Sequence, residues 1–394
     1  MTVPMVPSRS ESDVLIIGGG VIGLSLAWEL LRRGKRVRVI DRDQIGAGTS
    51  WAAAGILPPA NFDRATDAID RLRGYSHSIW PLWCDQLQTA TGIDPGYRTC
   101  GGLYMAQTPG EAAVMGGMMA YWADMNIACE RWLIDQLVQR YRFLSDYCQT
   151  NPWVDQHRDA AAWWTPAEAQ IRPPRLLSAL EKACRRLGGE LIAETVVTGI
   201  EERKNHVVVH GSASSEIIAA GTQVVLCGGA ATGLIDNRFG MRDALIPIRG
   251  QILLLRDESI RFDGVINVGN QYVLGRGDGH VLVGSCEEEV GFQPGTTDEV
   301  MDSLRRFASD VDSRLTDAVE VRRWSGLRPM TFDGFPMLGR LPDHEHVYVA
   351  TGHYRSGVSL GPGTAIAMAD LLDQKPSFMS LDPFQVHTKT TTTS

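Results

Sequence analysis

The sequence predicts an α/β fold joined to an α+β one: a discontinuous unit with a buried parallel sheet, and a second unit built on a mostly antiparallel sheet. Three observations carry this. A glycine-rich strand–turn–helix opens the chain at residues 13–41, buried strands running into glycines return near 223 and 347, and the stretch 245–329 alternates or runs apolar with glycine turns. At 394 residues the chain exceeds the size at which one hydrophobic core usually stops growing, so two domains are expected. With 44% hydrophobic and 21% charged residues it reads as globular, and a net charge of -8 supplies no basic field to gather phosphate backbones. Nucleic acid is not an expected partner.

The first element is "DVLIIGGGVIGLSLAWELLRRGKRVRVID", where Gly18, Gly20 and Gly23 fit G-x-G-x-x-G after a short apolar strand. Ile22, Leu26 and Leu30, with Ala27 and Leu31, then recur at helical spacing, and Gly34 stands where a C-cap glycine belongs. A second strand, 36–40, ends at Asp41. The first two glycines let backbone approach a pyrophosphate at the helix N-terminus, the third lets helix pack on strand, and the acid accepts hydrogen bonds from a ribose. This is a Rossmann-like dinucleotide site that leaves NAD and FAD open. The apolar window 14–31 has the length of a membrane span, but its glycines, Glu29 and the lack of a preceding basic region fit a buried element better, so no membrane span is expected.

Next comes "GAGTSWAAAGILPP", residues 46–59, where Thr49 and Ser50 are placed to bond phosphate or ribitol. Ala53, Ala54 and Gly55 would let main chain lie close to a flat ring; a flexible connection explains the glycines but not three consecutive alanines. A helix over 173–189 follows, with Leu176, Leu177, Leu180, Cys184 and Leu187 on one face, then strands near 190–193, 196–201 and 206–210, and a buried strand from 223 into Gly228 and Gly229. The expected division is 1–90, 168–243 and 330–380 for the nucleotide-binding domain, 91–167 and 244–329 for the second domain, and a mobile tail over 381–394. Residues 1–12 and those from about Gln374 lack periodicity and read as mobile ends. The loops of 91–165 are not placed.

The second unit is carried by 245–255, 271–284 and 318–329, with Asp278-Gly279 as a hairpin signal. Tyr272 shares an inward face with Leu274 and is either a core tyrosine with a bonded hydroxyl or a ligand contact. Arg328, in "WSGLRPMTFDGF", has no acid before Asp333, so it pairs with that or another acid, or with an anion from outside. Near the end, a strand at 347–350, a glycine-bracketed loop at 352–357 and a helix starting near Val358 form a place where negative charge is stabilised. Arg355 belongs either to that site or to the surface.

Three chemistries are argued against. Gly357 to Gly361 matches the G-x-S-x-G elbow, but only Asp370, Asp373, Asp382 and His387 follow, with no strands to carry an acid and a base. The nine histidines include no H-E-x-x-H, and His344 with His346 flanks a turn. Seven scattered cysteines without C-x-x-C suit a reducing, cytoplasmic compartment rather than a disulfide framework.

Taken in order, "VLIIGGGVIGLSLAWEL", "TSWAAAGIL", "PIRGQ", "GLRPMTFDGFPMLG" and "ATGHYRSGV" make the chain resemble the glycine oxidase and D-amino acid oxidase family of FAD enzymes over about residues 13–372, nearest the glycine oxidases of thiamine biosynthesis. The resemblance implies FAD held at Val21 and Ile22, at Asp41 and Arg42 by the ribose, and at Thr49 and Ser50 by the phosphates. Ala54, Gly55 and Ile56 would lie beside the ring, Val197 would meet the adenine through its backbone, and His353, Tyr354, Arg355, Ser356, Gly357, Val358 and Ser359 would line the pyrimidine edge. It implies a substrate carboxylate on Arg328 with Tyr272 assisting, hydride passing from the α carbon to flavin N5, oxygen reduced to hydrogen peroxide, and a homo-oligomer, tetramer or dimer. It departs from the family at Ser356, where asparagine is frequent, and at Gly361 and Gly363, which are expected to loosen the helix start. No cysteine lies where sarcosine oxidases attach flavin, so noncovalent FAD follows. No general base stands out among the motifs.

Overall fold

The computed structural model describes residues 12–159, 161–212 and 216–386. Five strands run parallel at the heart of an eight-stranded sheet: Val347–Thr351, Ile217–Leu226, β1 (Ser12–Ile17), β2 (Val37–Ile40) and Glu190–Ile192. Covered on both faces, they carry the continuous apolar runs that parallel strands require. The hairpin Gly199–Arg203/His206–His210 and the strand Met337–Arg340 add antiparallel edges. The strand expected at 196–201 is displaced to Gly199–Arg203, because its ladder starts at Gly199 opposite His210, the last residue of its partner.

α1 (Val21–Arg32) is buried almost all round, with the sheet on one side and α2 (Ala68–Thr91) and the C-terminal helix Gly357–Leu372 on the other. Gly23 sets how closely α1 approaches β1, since a Cβ there would lie 1.9 Å from the Gly18 carbonyl oxygen. The C-terminal helix contains Pro362, and α2 meets the backbone groups around it: Gly363 N donates to Ser76 Oγ at 3.1 Å, and Trp80 Nε1 donates to Ser359 O at 3.1 Å. Gly363 belongs to this contact. It lets α2 cross closely, since a Cβ there would lie 2.4 Å from Ser76 Oγ.

A nine-stranded sheet forms the second layer, antiparallel except where Asp263–Val268 runs parallel to Gly102–Met105. Gln271–Arg276 and His280–Gly284 make the hairpin signalled by Asp278-Gly279, with Gly277 and Gly279 at φ of 71° and 88°. Much of 91–165, which sequence did not place, belongs here: Gly102–Met105, Glu130–Trp132 and Ala162–Thr165 are three of its strands. Register puts Tyr104, Asn267, Tyr272, Gly284, Ile252 and Trp324 on one transverse row across six strands. No helix among the described residues is long and apolar enough to cross a membrane.

The expectation of mobile ends is not met over 378–386. Phe378 stacks on Tyr75 with centroids 3.6 Å apart, and Phe384, 2% exposed, sits in the core shared by α1 and α2. Apolar side chains in this segment anchor it despite its lack of periodicity. The remainder of those expected ends, 1–11 and 387–394, lies outside the described residues. Phe384→Ala is expected to cost about 3–5 kcal/mol in denaturant unfolding; a loss within about 0.5 kcal/mol, as for a surface change, would refute the packing of this segment.

Candidate active site

A cavity of about 860 Å³ lies between the two sheets, toward the upper end of the range for small-molecule sites. It is lined by Gly20, Val21 and Ile22 from the start of α1, by Thr49, Ser50, Ala54, Gly55 and Ile56, and by every residue from His353 to Ser359. Tyr272 and Arg328 line it from the antiparallel sheet. The structure thus brings together most residues singled out from sequence.

The others lie outside its walls. Gly18 (φ +115°) passes against the Cys227–Gly228 backbone, where a Cβ would meet Cys227 O at 2.3 Å and Gly228 N at 2.9 Å. Asp41 accepts from Gly19 N at 2.6 Å and Asp43 N at 2.9 Å, and burial pushes its carboxyl pKa up. Val197 packs its side chain with Leu15, Ile17 and Ile40. Arg42 is solvent-exposed and ion-paired at 3.0 Å with Asp43, the acid next to it in sequence.

The residues present fit a dinucleotide. α1 begins at Gly20 with no side-chain cap and no acid in its first turn, and Val21 N donates to Ser50 Oγ at 2.9 Å. The C-terminal helix likewise begins without a side-chain cap, at Ser356. Two helix N-termini, each with partial positive charge, thus reach one cavity. Burial lowers the His353 pKa to about 3, so this residue, bonded to Thr364 Oγ1 at 3.1 Å, is uncharged at neutral pH.

The small residues of 46–59 have a second purpose. Thr49 Oγ1 donates to Leu327 O at 2.8 Å, Trp324 Nε1 to Ala52 O at 3.0 Å and Arg276 Nη2 to Ala54 O at 2.7 Å. This loop is stitched to the antiparallel sheet, and Gly55 (φ +80°) has Ile171 O where a Cβ would come within 2.2 Å. Thr49 therefore spends its proton on the main chain next to Arg328, leaving Ser50 as the hydroxyl at the helix end.

Arg328 forms no ion pair with Asp333 or any other acid among the described residues. Its Nη2 donates to Ser285 Oγ at 2.6 Å and its Nη1 to Cys286 O at 3.0 Å. Burial lowers its pKa, yet it remains a cation at neutral pH with donors to spare. Gly250 makes room for it, since a Cβ there would lie 2.1 Å from Nη2. Tyr272 packs over Gly284 in the cavity wall, and no hydrogen bond of its hydroxyl is found among the described residues, so the bonded core tyrosine is not what the structure shows. Arg355 is both exposed and at the cavity rim, paired with Glu287 at 2.5 Å; Tyr354, in the left-handed region at φ 48°, donates to the same carboxylate. Ser359 lies inside the C-terminal helix and donates to Ser356 O at 2.9 Å, so it is no nucleophile elbow.

Sequence reasoning missed Ser285, Cys286 and Glu287, whose segment has no periodicity, and Gly250, which lay within "PIRGQ" without a stated role. Only strand pairing reveals that Gly250 faces the arginine.

A Rossmann-like sheet with two helix ends at a cavity, closed by an antiparallel sheet bearing an unpaired arginine, defines a nucleotide-dependent oxidoreductase. The pattern of the DAO family, described as FAD dependent oxidoreductase, matches residues 13–371, and the chain belongs to that family. FAD is accordingly its cofactor. It is 29% identical over 376 residues to a glycine oxidase of Pseudomonas aeruginosa, covering 94% of this chain and 97% of that one. It is 33% identical over 387 residues to a bifunctional ThiO/ThiG protein of a Nostoc species, covering 95% of this chain and 54% of that one. The crystal structure of glycine oxidase from Geobacillus kaustophilus superposes with a TM-score of 0.86 at 27% identity, covering 96% of this chain and 98% of that one.

Gly250→Ala is expected to displace the guanidinium from Ser285 and Cys286, raising the Kd of a small carboxylate such as acetate about tenfold or more with little change in Tm; unaltered binding would disprove the fit. His353 supplies a pH test. Its folded pKa of about 3 lies below its ordinary 6.5, so between these values the unfolded chain holds a proton that the folded chain cannot. Its contribution is complete above pH 6.5 and shrinks by about 1.4 kcal/mol per unit as pH falls toward 3. Unfolding of His353→Gln between these limits should show a correspondingly shallower pH slope.

Proposed function

We propose that this protein oxidises the amine of glycine or another small α-amino acid, passing two electrons to oxygen to yield hydrogen peroxide and an imino acid that hydrolyses to a 2-oxo acid and ammonia. The observation that carries the reading is Arg328: a half-buried cation in the cavity wall, held by two neutral acceptors and lacking an acid. A buried unpaired charge is costly, and Arg328, unlike the enclosed Arg276, lies in the cavity wall with donors to spare, so it is placed to receive a counter-charge. A substrate carboxylate supplies it as a two-pronged partner, and the unbonded Tyr272 hydroxyl is available beside it.

Bound FAD supplies the two-electron acceptor chemistry. The chain positions and desolvates. The amides of α1, with Ser50, would hold the pyrophosphate, and Asp41 with the Val197 backbone would hold the adenosine end. Ala54, Gly55 and Ile56 would keep main chain close to the ring, while the C-terminal helix and neutral His353 would face the edge where negative charge gathers. Cys227 lines the cavity, but burial pushes its thiol well above the usual range, which supports noncovalent attachment. All seven cysteines are free, which supports a cytoplasmic setting.

The purified protein is expected to absorb as a flavoprotein and to bleach on anaerobic titration with glycine, sarcosine or D-alanine. One peroxide per turnover under air marks an oxidase; turnover with a quinone and little peroxide would assign a dehydrogenase instead. Arg328→Ala should raise KM on the order of a hundredfold, the loss of two charge-assisted hydrogen bonds. An unchanged KM would remove Arg328 from the site.

A further inference from the structure

The cavity is longer than the proposed reaction needs. Its inner part is walled by the start of α1, by 49–56 and by 353–359, the segments expected to hold FAD, and by Tyr272 and Arg328. Past Asn267, which register puts between Tyr272 and Tyr104, it continues into an outer lobe walled by Tyr104, Met115, Met118, Trp122, Met125 and Ile127. None of these has a part in the reaction. Tyr104 stands three strands from Gly284, over which Tyr272 packs, and at about 4.8 Å per strand that is roughly 14 Å. A glycine held at Arg328 therefore leaves the lobe empty.

The lobe is apolar because its polar groups are turned elsewhere. Tyr104 donates its hydroxyl to Glu168 and sets its ring against that of Trp122, with centroids 5.4 Å apart and planes at 67°. Trp122, Met125 and Ile127 are at most 9% exposed and cluster with Ala65. Asp70 and Arg73 also line the cavity, but they pair with each other, and Tyr121 donates to Asp70. A passage serving only a zwitterion would offer hydrogen bonds along its length. This one offers methionine, tryptophan and isoleucine, from which water is displaced favourably, and the thioethers adapt to the shape of what enters.

Glycine supplies a second, independent observation. α3 (Pro109–Asp124) carries Met115, Met118 and Trp122, and between them the pair Gly116-Gly117. Glycine weakens a helix interior relative to alanine. Close packing, the usual reason to keep one there, is absent: nothing lies within 4 Å of where a Cβ would stand on either residue. Gly117 lines the cavity, so its missing side chain leaves room in the lobe.

We propose that the outer lobe binds an apolar substituent, alkyl or aryl, on the α-amino acid whose carboxylate lies on Arg328, and that Gly117 keeps the lobe open for it. The substrate class is then an amino acid with an extended hydrophobic group on its nitrogen or α carbon. Arg328 fixes one end by charge, and the lobe selects the other by size and water exclusion.

The inference rests on the amino-acid reading, and two length series test it on the FAD-loaded enzyme: N-ethyl-, N-butyl-, N-hexyl- and N-octylglycine, and straight-chain 2-amino acids of matching length in both enantiomers. In at least one series kcat/KM is expected to change little over the first few methylenes and then to rise about fourfold for each further one buried. The series that rises tells whether nitrogen or the α carbon carries the group. In Gly117→Phe, whose ring fills the lobe, the rise should disappear with the flavin spectrum and Tm retained, whereas Gly117→Ala should keep most of it. Straight-chain carboxylates from acetate to octanoate have no amine to oxidise, and calorimetry should show their Kd falling with length in wild type but not in Gly117→Phe. Both amino-acid series flat or declining, or a rise that survives in Gly117→Phe, overturns the lobe while leaving the oxidation of glycine intact. If the variants do not fold, the wild-type series decide alone. Turnover of none of these substrates, glycine included, overturns the amino-acid reading itself, and the carboxylate series then still judges the lobe.

Discussion

A guanidinium withdrawn from water and left without a carboxylate is the constraint around which this molecule is arranged. Arg328 is held by a serine hydroxyl and a main-chain carbonyl, which fix its direction without neutralising it. Keeping it there requires a glycine at 250, two residues on from the arginine's ladder partner Ile248, a strand long enough to pair along Ile246–Arg256, and a tie from Thr49 to Leu327. Each feature belongs to a different part of the chain. Together they set one positive charge at the wall of a cavity that two helix ends also reach.

The cavity is positively biased without being basic. Its helix N-termini offer oriented amides, His353 is kept neutral by burial, and Arg355 is cancelled by Glu287. Among the described residues one full positive charge therefore remains unpaired at the wall, where it can select an anion in a way that a cluster of arginines could not. Specificity arises here from suppressing the other charges.

The junction between the two sheets explains why so many small residues gather in 46–59. The loop is bonded to the antiparallel sheet through the carbonyls of Ala52 and Ala54, and Gly326 lets it approach, with Ala52 Cβ only 2.8 Å from where a side chain there would begin. Arg276, buried and bonded entirely to neutral groups, anchors that contact. The same backbone thus serves as cavity wall and as hinge pin between the sheets, and larger side chains would separate the two.

What the sequence determined by itself is what local pattern encodes. The glycine spacing around β1 and α1, Asp41 after β2, the Asp278-Gly279 hairpin and the helix from Pro173 depend on neighbours a few residues away and formed as expected, except that the helix expected to 189 ends at Arg186 and leaves Leu187 exposed. The strand near 196 was misplaced because its limits depend on its partner's register, and the end of the chain was misread because a few well-placed apolar side chains anchor it without periodicity. Only the tertiary structure decided that Arg328 meets no acid among the described residues and that Arg355 has one in Glu287. Those pairings join residues tens of positions apart, and whether a charge is met or left waiting depends on what folding brings within hydrogen-bonding reach of it, which no run of residues records.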